Sequence, residues 1–223
     1  MDACIRGLAV PFKMMPPTLT RNRRQIYAEQ TKQAIIDASR QLFASRGYAQ
    51  TTVEQIAKLA EVAPVTVYAA AGGKSGILRA LMETWSATPK NDELIARVLN
   101  EHEPSAVLAR VAEGVRALRE EFGDIAYFMQ DAAPHDPDVA KSLEVATTRY
   151  RAFFVLVIEH LQSLDSLRPE LSVRDAADIG WFYFGYWGYY TLHNENLWSY
   201  DKAQLWLKDA AARALLRPEF LPA

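Results

Sequence analysis

Apolar side chains recur at three- and four-residue spacing along most of this chain, and no useful run of strict alternation interrupts them. The first strong element spans Glu29 to Ser45, where Ile35, Ala38 and Leu42, flanked by Ile36 and Phe43, form one wide stripe. Arg46-Gly47-Tyr48 closes it, glycine supplying the left-handed residue after the last turn. In Thr51-Thr52-Val53-Glu54-Gln55 a threonine is followed three residues on by an acid or amide, the pattern of a capping box. It opens a helix that turns Val53, Ile56, Ala57 and Ala60 inward. After a break at Glu61-Val62, Pro64 suits a first helical position and keeps Ala63 extended. That short helix runs to Ala70, Gly72-Gly73 end it, and a fourth helix runs from Lys74 to Trp85.

The remainder predicts helices over Asn91 to His102, Pro104 to Phe122 (stopped by Gly123), Asp124 to Ala133, Asp136-Pro137 to Leu164, Ser172 to Asn196, and Asp201 to Leu216. The fold class is therefore all-α: an N-terminal three-helix head with a helix-turn-helix layout, followed by a helical body.

The two short helices of the head meet at the four-residue break Ala60 to Ala63, a layout that can place its second helix in a DNA major groove. Val62 and Val67 face inward, leaving Pro64, Val65, Thr66 and Tyr68 outward with no acid among them. Thr66 and Tyr68 can donate to phosphates, and Val65 offers apolar contact to a thymine methyl. Lys74 adds a cation at the start of the next helix.

Charge sharpens that picture. The 223 residues carry a net −2, but up to Trp85 there are 11 basic and 6 acidic residues, and from Ser86 onward 14 and 21. A basic head thus sits on an acidic body. The expected division is a disordered leader with a basic arm over 1–24, the head over 25–72, and the body over 73–223, with helix 74–85 joining them. The leader lacks the basic start and long apolar stretch of a signal peptide, and Met14 or Met15 is a candidate true start. The densest apolar run, Ile179 to Leu192, is too short for a membrane span. The single cysteine, Cys4, excludes an internal disulfide framework and a cysteine zinc cluster, which fits a reducing cytoplasm.

In the body, Trp181 to Tyr190 reads WFYFGYWGYY, eight aromatics in ten residues. On one continuous helix, Ala176, Ala177, Gly180, Phe184, Trp187 and Thr191 share a face, while Phe182, Gly185, Tyr189 and His193 share another. A single chain would leave the second set of rings exposed, which points to an interface. Catalysis finds little support. His102, His135, His160 and His193 are scattered, none follows a glutamate at the di-iron spacing, and neither HExxH nor a glycine-rich phosphate loop occurs. An all-helical enzyme and a helical protein-binding dimer without a DNA role are the alternatives, and the second would not need a basic head with phosphate donors on one face.

The stretch from Gln33 to Leu81, containing AIIDASRQLFASRGYAQTTVEQIAKLAEVAPVTVY followed by Lys74 and Leu78, resembles the DNA-binding domain of the TetR family of transcriptional repressors. More loosely, the likeness runs from Gln25 to Leu216. It implies a ligand-responsive repressor that binds a near-palindromic double-stranded operator as a homodimer, with no cofactor or metal, in the cytoplasm. By this resemblance Thr52 and Tyr68 hold phosphates with Lys74 helping, while Pro64, Val65 and Thr66 approach bases; Arg21, Arg23 and Arg24 form a basic arm that either follows a groove or is a solvated tail. It also implies a pocket for a small hydrophobic or aromatic effector. Candidates to line it are Trp85, Phe128, Tyr150, Phe153 and Phe154, joined by Val157, Trp181, Phe184 and Trp187, the alternative for each being a place in the ordinary core. The last two helices would pair with those of a second subunit through Phe182, Gly185, Tyr189, Leu205, Trp206 and Ala210. Glu61, Ala63 and Ala71 depart from the family's usual glycine, serine and aromatic, and Glu61 occupies the place best suited to a left-handed residue.

Overall fold

Asn22 opens the first helix of the computed structural model, which describes residues 22–86 and 89–221, without the side chains of 85, 86, 89 and 90. Its side chain and that of Gln25 make a capping box, so α1 spans Arg23–Arg46 and starts six residues before the expected Glu29. Arg23 and Arg24 therefore lie in a helical first turn, not in an extended arm, while Arg21 and the leader up to it lie outside the described residues. Ile35, Ala38, Leu42 and Phe43 are buried, and Gly47 ends the helix at φ +79°.

Two short helices follow, α2 (Val53–Leu59) and α3 (Pro64–Ala71), then α4 (Gly73–Ser86). Thr52 caps α2 through a second capping box with Gln55. Glu61, in the turn, sits at φ +55°, the left-handed conformation anticipated for that place. Val62 N–H donates back to Ala57 O at 2.9 Å, which folds α3 against α2.

The body comprises α5 (Pro89–Leu99), α6 (Pro104–Ala132), α7 (Pro137–Ser163), α8 (Val173–Phe184), α9 (Tyr186–Tyr189) and α10 (Tyr200–Leu215). A 3₁₀ turn joins α6 to α7, and the described residues hold no strand beyond one isolated bridge between Leu167 and Leu216.

Two expected boundaries differ. Gly123 does not stop a helix: α6 runs through it for 29 residues, because Phe122, Ile125, Ala126 and Met129 continue one buried stripe whose burial outweighs the roughly 1 kcal/mol helix cost of a glycine. Conversely, Ser172 to Asn196 is not one helix. Gly185 adopts ψ −162°, ends α8, and restarts the chain as α9, which runs into a π-helical segment, Tyr190–Glu195. A Cβ on Gly185 would meet Trp181 O at 2.4 Å, so the chain passes itself there too closely for any other residue.

Two buried apolar clusters organise the molecule. One joins the head (Phe43, Ile56, Val67) to Ile77 and Leu81 of α4, to Leu118 through Ala132 on α6, and to Val139 on α7. The other lies wholly in the body, around Val107–Val115 of α6, Phe154–Leu161 of α7, and α8 to α10. Helix α6 belongs to both.

Candidate DNA-reading face and cavities

Val67 and Ala71 anchor α3 to the head core, which leaves the opposite side free. Pro64, Val65 and Tyr68 are exposed there, Val65 at 71% and Tyr68 at 59%, and Thr66 is half-buried. The Tyr68 ring leans over Gly73 (φ +71°), where a Cβ would sit 3.2 Å from the ring, so glycine at 73 leaves room for the tyrosine. Thr52 is exposed and its Oγ1 accepts from Gln55 N at 3.3 Å, while its hydroxyl hydrogen bonds the Glu54 carboxylate, which the backbone N–H of Glu54 and that bond hold below the usual range.

Lys74 has another partner. Its Nζ donates to Tyr48 O at 2.6 Å and lies 4.2 Å from the Tyr48 ring centre. Burial lowers its pKa, against the pull of Asp136. The amine expected at a phosphate thus ties α4 to the end of α1.

Asp136, readable in sequence as a cap of α7, does more than that. Its Oδ1 accepts from the backbone of Asp138 and Val139 at 3.1 and 3.3 Å. Oδ2 accepts from Tyr48 Oη at 3.0 Å and Ser75 Oγ at 2.5 Å. Burial alone would raise this carboxyl, but the bonds from Ser75, Val139 N, Tyr48 and Asp138 N outweigh it and hold the pKa below the usual range. Burial likewise pushes the Tyr48 phenol up to about 12. A second tie crosses the same seam: Arg40 of α1 grips Asp124 of α6 with Nε at 2.5 Å and Nη2 at 2.6 Å. The Asp124 bond first, opposed by burial, raises the Arg40 pKa.

Two cavities among the described residues bear on ligand binding. The larger, about 580 Å³, lies on the seam between Arg40 and Ala44 of α1, the α6 face from Arg119 to Gln130, and the α9 region from Tyr186 to Asn194. The smaller, about 190 Å³, lies among α5, α6 and α7, lined chiefly by Leu94, Ile95, Leu118, Tyr150 and Phe153. Of the candidate pocket residues, Phe128 and Trp187 line the first and Tyr150 and Phe153 the second. Phe154, Val157, Trp181 and Phe184 line neither and pack in the interior, while the Trp85 side chain lies outside the described residues. The break at Gly185 explains the scatter. It rotates the segment beyond it, so that Trp187, expected inside, is 53% exposed, whereas Tyr189, expected at an interface, is buried and donates to Ala112 O at 3.0 Å. Gly185 is buried as well, and Ala210 half-buried; Phe182 (74% exposed), Leu205 and Trp206 remain on the surface.

Arg119 carries no local sequence signal that marks it as inward. It is buried on α6, donating through Nη2 to Tyr150 Oη at 3.3 Å and to Gly185 O at 3.1 Å, the carbonyl that the helix break releases. Tyr150 in turn donates to Phe184 O at 2.6 Å. Among the described residues no group of three or more histidine, cysteine or acidic side chains could hold a metal, and no helix is long and apolar enough to cross a membrane.

A three-helix head that exposes one short helix, set on a helical body, is the architecture of a helix-turn-helix regulator. Residues 35–81, most of the head and of α4, match the family described as bacterial regulatory proteins, tetR family. Solved structures of such regulators share the fold across most of the chain. NalD, the secondary repressor of the MexAB-OprM efflux pump in Pseudomonas aeruginosa, is 24% identical, with 86% of this chain and 99% of that one covered at a TM-score of 0.62. FadR from Bacillus subtilis, solved with stearoyl-CoA, is 19% identical (82% and 98% covered, TM-score 0.65). SmeT, the repressor of the SmeDEF pump of Stenotrophomonas maltophilia, is 18% identical (86% and 95%, TM-score 0.65) and is also known in complex with triclosan. No curated protein sequence matches the chain.

Proposed function

We propose that this protein is a ligand-responsive transcriptional regulator that binds a near-palindromic operator as a homodimer and, as a repressor, is released by a small hydrophobic or aromatic ligand. The observation that carries the reading is the outer side of α3. Pro64, Val65 and Tyr68 stand clear of the head core on a helix without an acidic residue, so nothing on it repels a phosphate backbone. The exposed Arg23 and Arg24 add donors toward the same partner, with bases met by Val65 and Thr66.

Dimer formation is supported by large apolar side chains left in water on α8 and α10, namely Phe182, Leu205 and Trp206. Two such protomers would set their α3 helices about one DNA turn, roughly 34–36 Å, or a multiple apart. Release occurs if a ligand fits best when the heads are displaced, since binding then shifts the population away from the DNA-competent form. One neighbour carries stearoyl-CoA and another triclosan, molecules of unlike shape, so the shared fold alone selects no ligand. Selection of bound fragments from random duplex DNA by the purified protein tests the reading. A recovered near-palindrome supports it; indifference to duplexes of every composition at low ionic strength overturns it.

A further inference from the structure

We propose that the cavity on the head–body seam takes a small molecule bearing a carboxylate on a flat, apolar frame, with Arg119 as its charge partner. The proposal deepens the ligand-responsive function proposed above and rests on it.

Arg119 is only 6% exposed, yet it makes no ion pair among the described residues. Both of its hydrogen bonds leave from Nη2, and its buried Nε has no acceptor. The rings of Tyr150 and Tyr186 flank the guanidinium at 5.6 and 5.5 Å, contributing cation–π attraction but no counter-charge. A buried cation without a carboxylate is costly in folding, and that cost falls when an anion arrives beside it.

The other charges that line the cavity are already paired. Asp124 is held by Arg40, and Glu120 shares Arg116 with Asp201, so among the cations of the lining Arg119 is the one with no carboxylate beside it. A cationic ligand would find no partner in Arg119, and a neutral one would leave the guanidinium as it is. The walls favour a planar body. Tyr127 and Tyr190 stack at 5.3 Å with planes only 6° apart, and Trp187 meets Tyr190 edge-on. About 580 Å³ is ample for a bicyclic acid. Because Arg40 and Ala44 of α1 form one wall, the occupant touches the head directly.

The test uses the full chain and three matched pairs of probes, benzoate, phenylacetate and 2-naphthoate, each beside its primary amide. Binding is read by calorimetry and by tryptophan fluorescence, to which Trp187 contributes. At least one acid should bind tenfold or more tightly than its amide, and Arg119→Gln should erase the difference. Since that variant also deprives Gly185 O of its donor, a second one guards the conclusion. Gly123 lines the cavity, and a Cβ there meets only the Arg119 Cβ, at 4.0 Å, so a side chain can start without a clash and Gly123→Leu narrows the cavity beside Arg119. It should abolish acid binding while the thermal midpoint stays level or rises. Equal affinity for every acid and its amide, no binding by any acid, or undiminished binding in Gly123→Leu overturns the proposal. A separate arm tracks DNA binding. An acid that binds through Arg119 but leaves DNA affinity unchanged sinks the release mechanism and keeps the carboxylate site; DNA binding without any acid preference does the reverse.

Discussion

Tyr68 and Glu61 sit seven residues apart on the same small motif and answer to different physics. Tyr68 is held outward by the packing of Val67 beneath it, and its phenol is free to donate to a phosphate. Tyr68→Ala should weaken binding to every duplex about tenfold, the worth of one hydrogen bond to a charged group at roughly 1.5 kcal/mol. The salt dependence should change little, because no cation is lost. Titrations on specific and scrambled DNA at several ionic strengths check both parts. Glu61 bears a cost of about 1 kcal/mol for its left-handed backbone. Glu61→Gly should therefore raise stability by about that much, offset in part by the freedom glycine gives the unfolded chain; a shifted urea midpoint with unchanged slope would show it. Both residues were legible from sequence, since an extended Ala63, a proline start and a left-handed turn are decided within a few positions. Arg119, Lys74 and the second role of Asp136 were not. Their partners Gly185, Tyr48 and Ser75 lie 66, 26 and 61 positions away, and only the folded chain brings them near.

Among the helices, two glycines separate what local pattern decides from what packing decides. Gly123 and Gly185 each follow a phenylalanine, but one is passed through and the other breaks the helix. Neighbourhood decides. At Gly123 a side chain would find room, whereas at Gly185 the Trp181 carbonyl and ring crowd the place of a Cβ at 2.4 and 3.1 Å. Gly185→Ala should cost about 1–3 kcal/mol in chemical denaturation, the usual range for overpacking. Its effect should also reach Tyr189 and Trp187, whose opposite placements depend on the turn of the chain there. A periodicity drawn on an uninterrupted helix buries Trp187 and exposes Tyr189, whereas Trp187 stands half in solvent at the rim of the seam cavity and Tyr189 is buried, so the aromatic body was less legible than the head.

At the scale of the whole molecule, head and body meet through Asp136, through Arg40 with Asp124, and through a shared apolar cluster. The depressed pKa of Asp136 fixes a pH signature. Its charged form is favoured by folding, so the contribution is complete above the unfolded carboxylate value near 3.9 and is lost as pH falls through the lower folded value. Asp136→Asn keeps a good helix cap but weakens the acceptor for Tyr48 and Ser75. It should be about 1–2 kcal/mol less stable than the parent at neutral pH, and the gap should close as pH falls below about 4, as read from thermal melts across that range.

The uninterrupted run of α6 has a further consequence. At 1.5 Å per residue its 29 residues make a stiff rod of about 44 Å, and it carries both apolar clusters along its length. A rod with no joint gives the protomer no place to bend between the two clusters, so the compliant motion is a roll about the rod's own axis. In the dimer proposed above, a few degrees of such roll in each copy would swing the paired α3 helices through an arc, changing their span on the duplex while both hydrophobic cores stay dry.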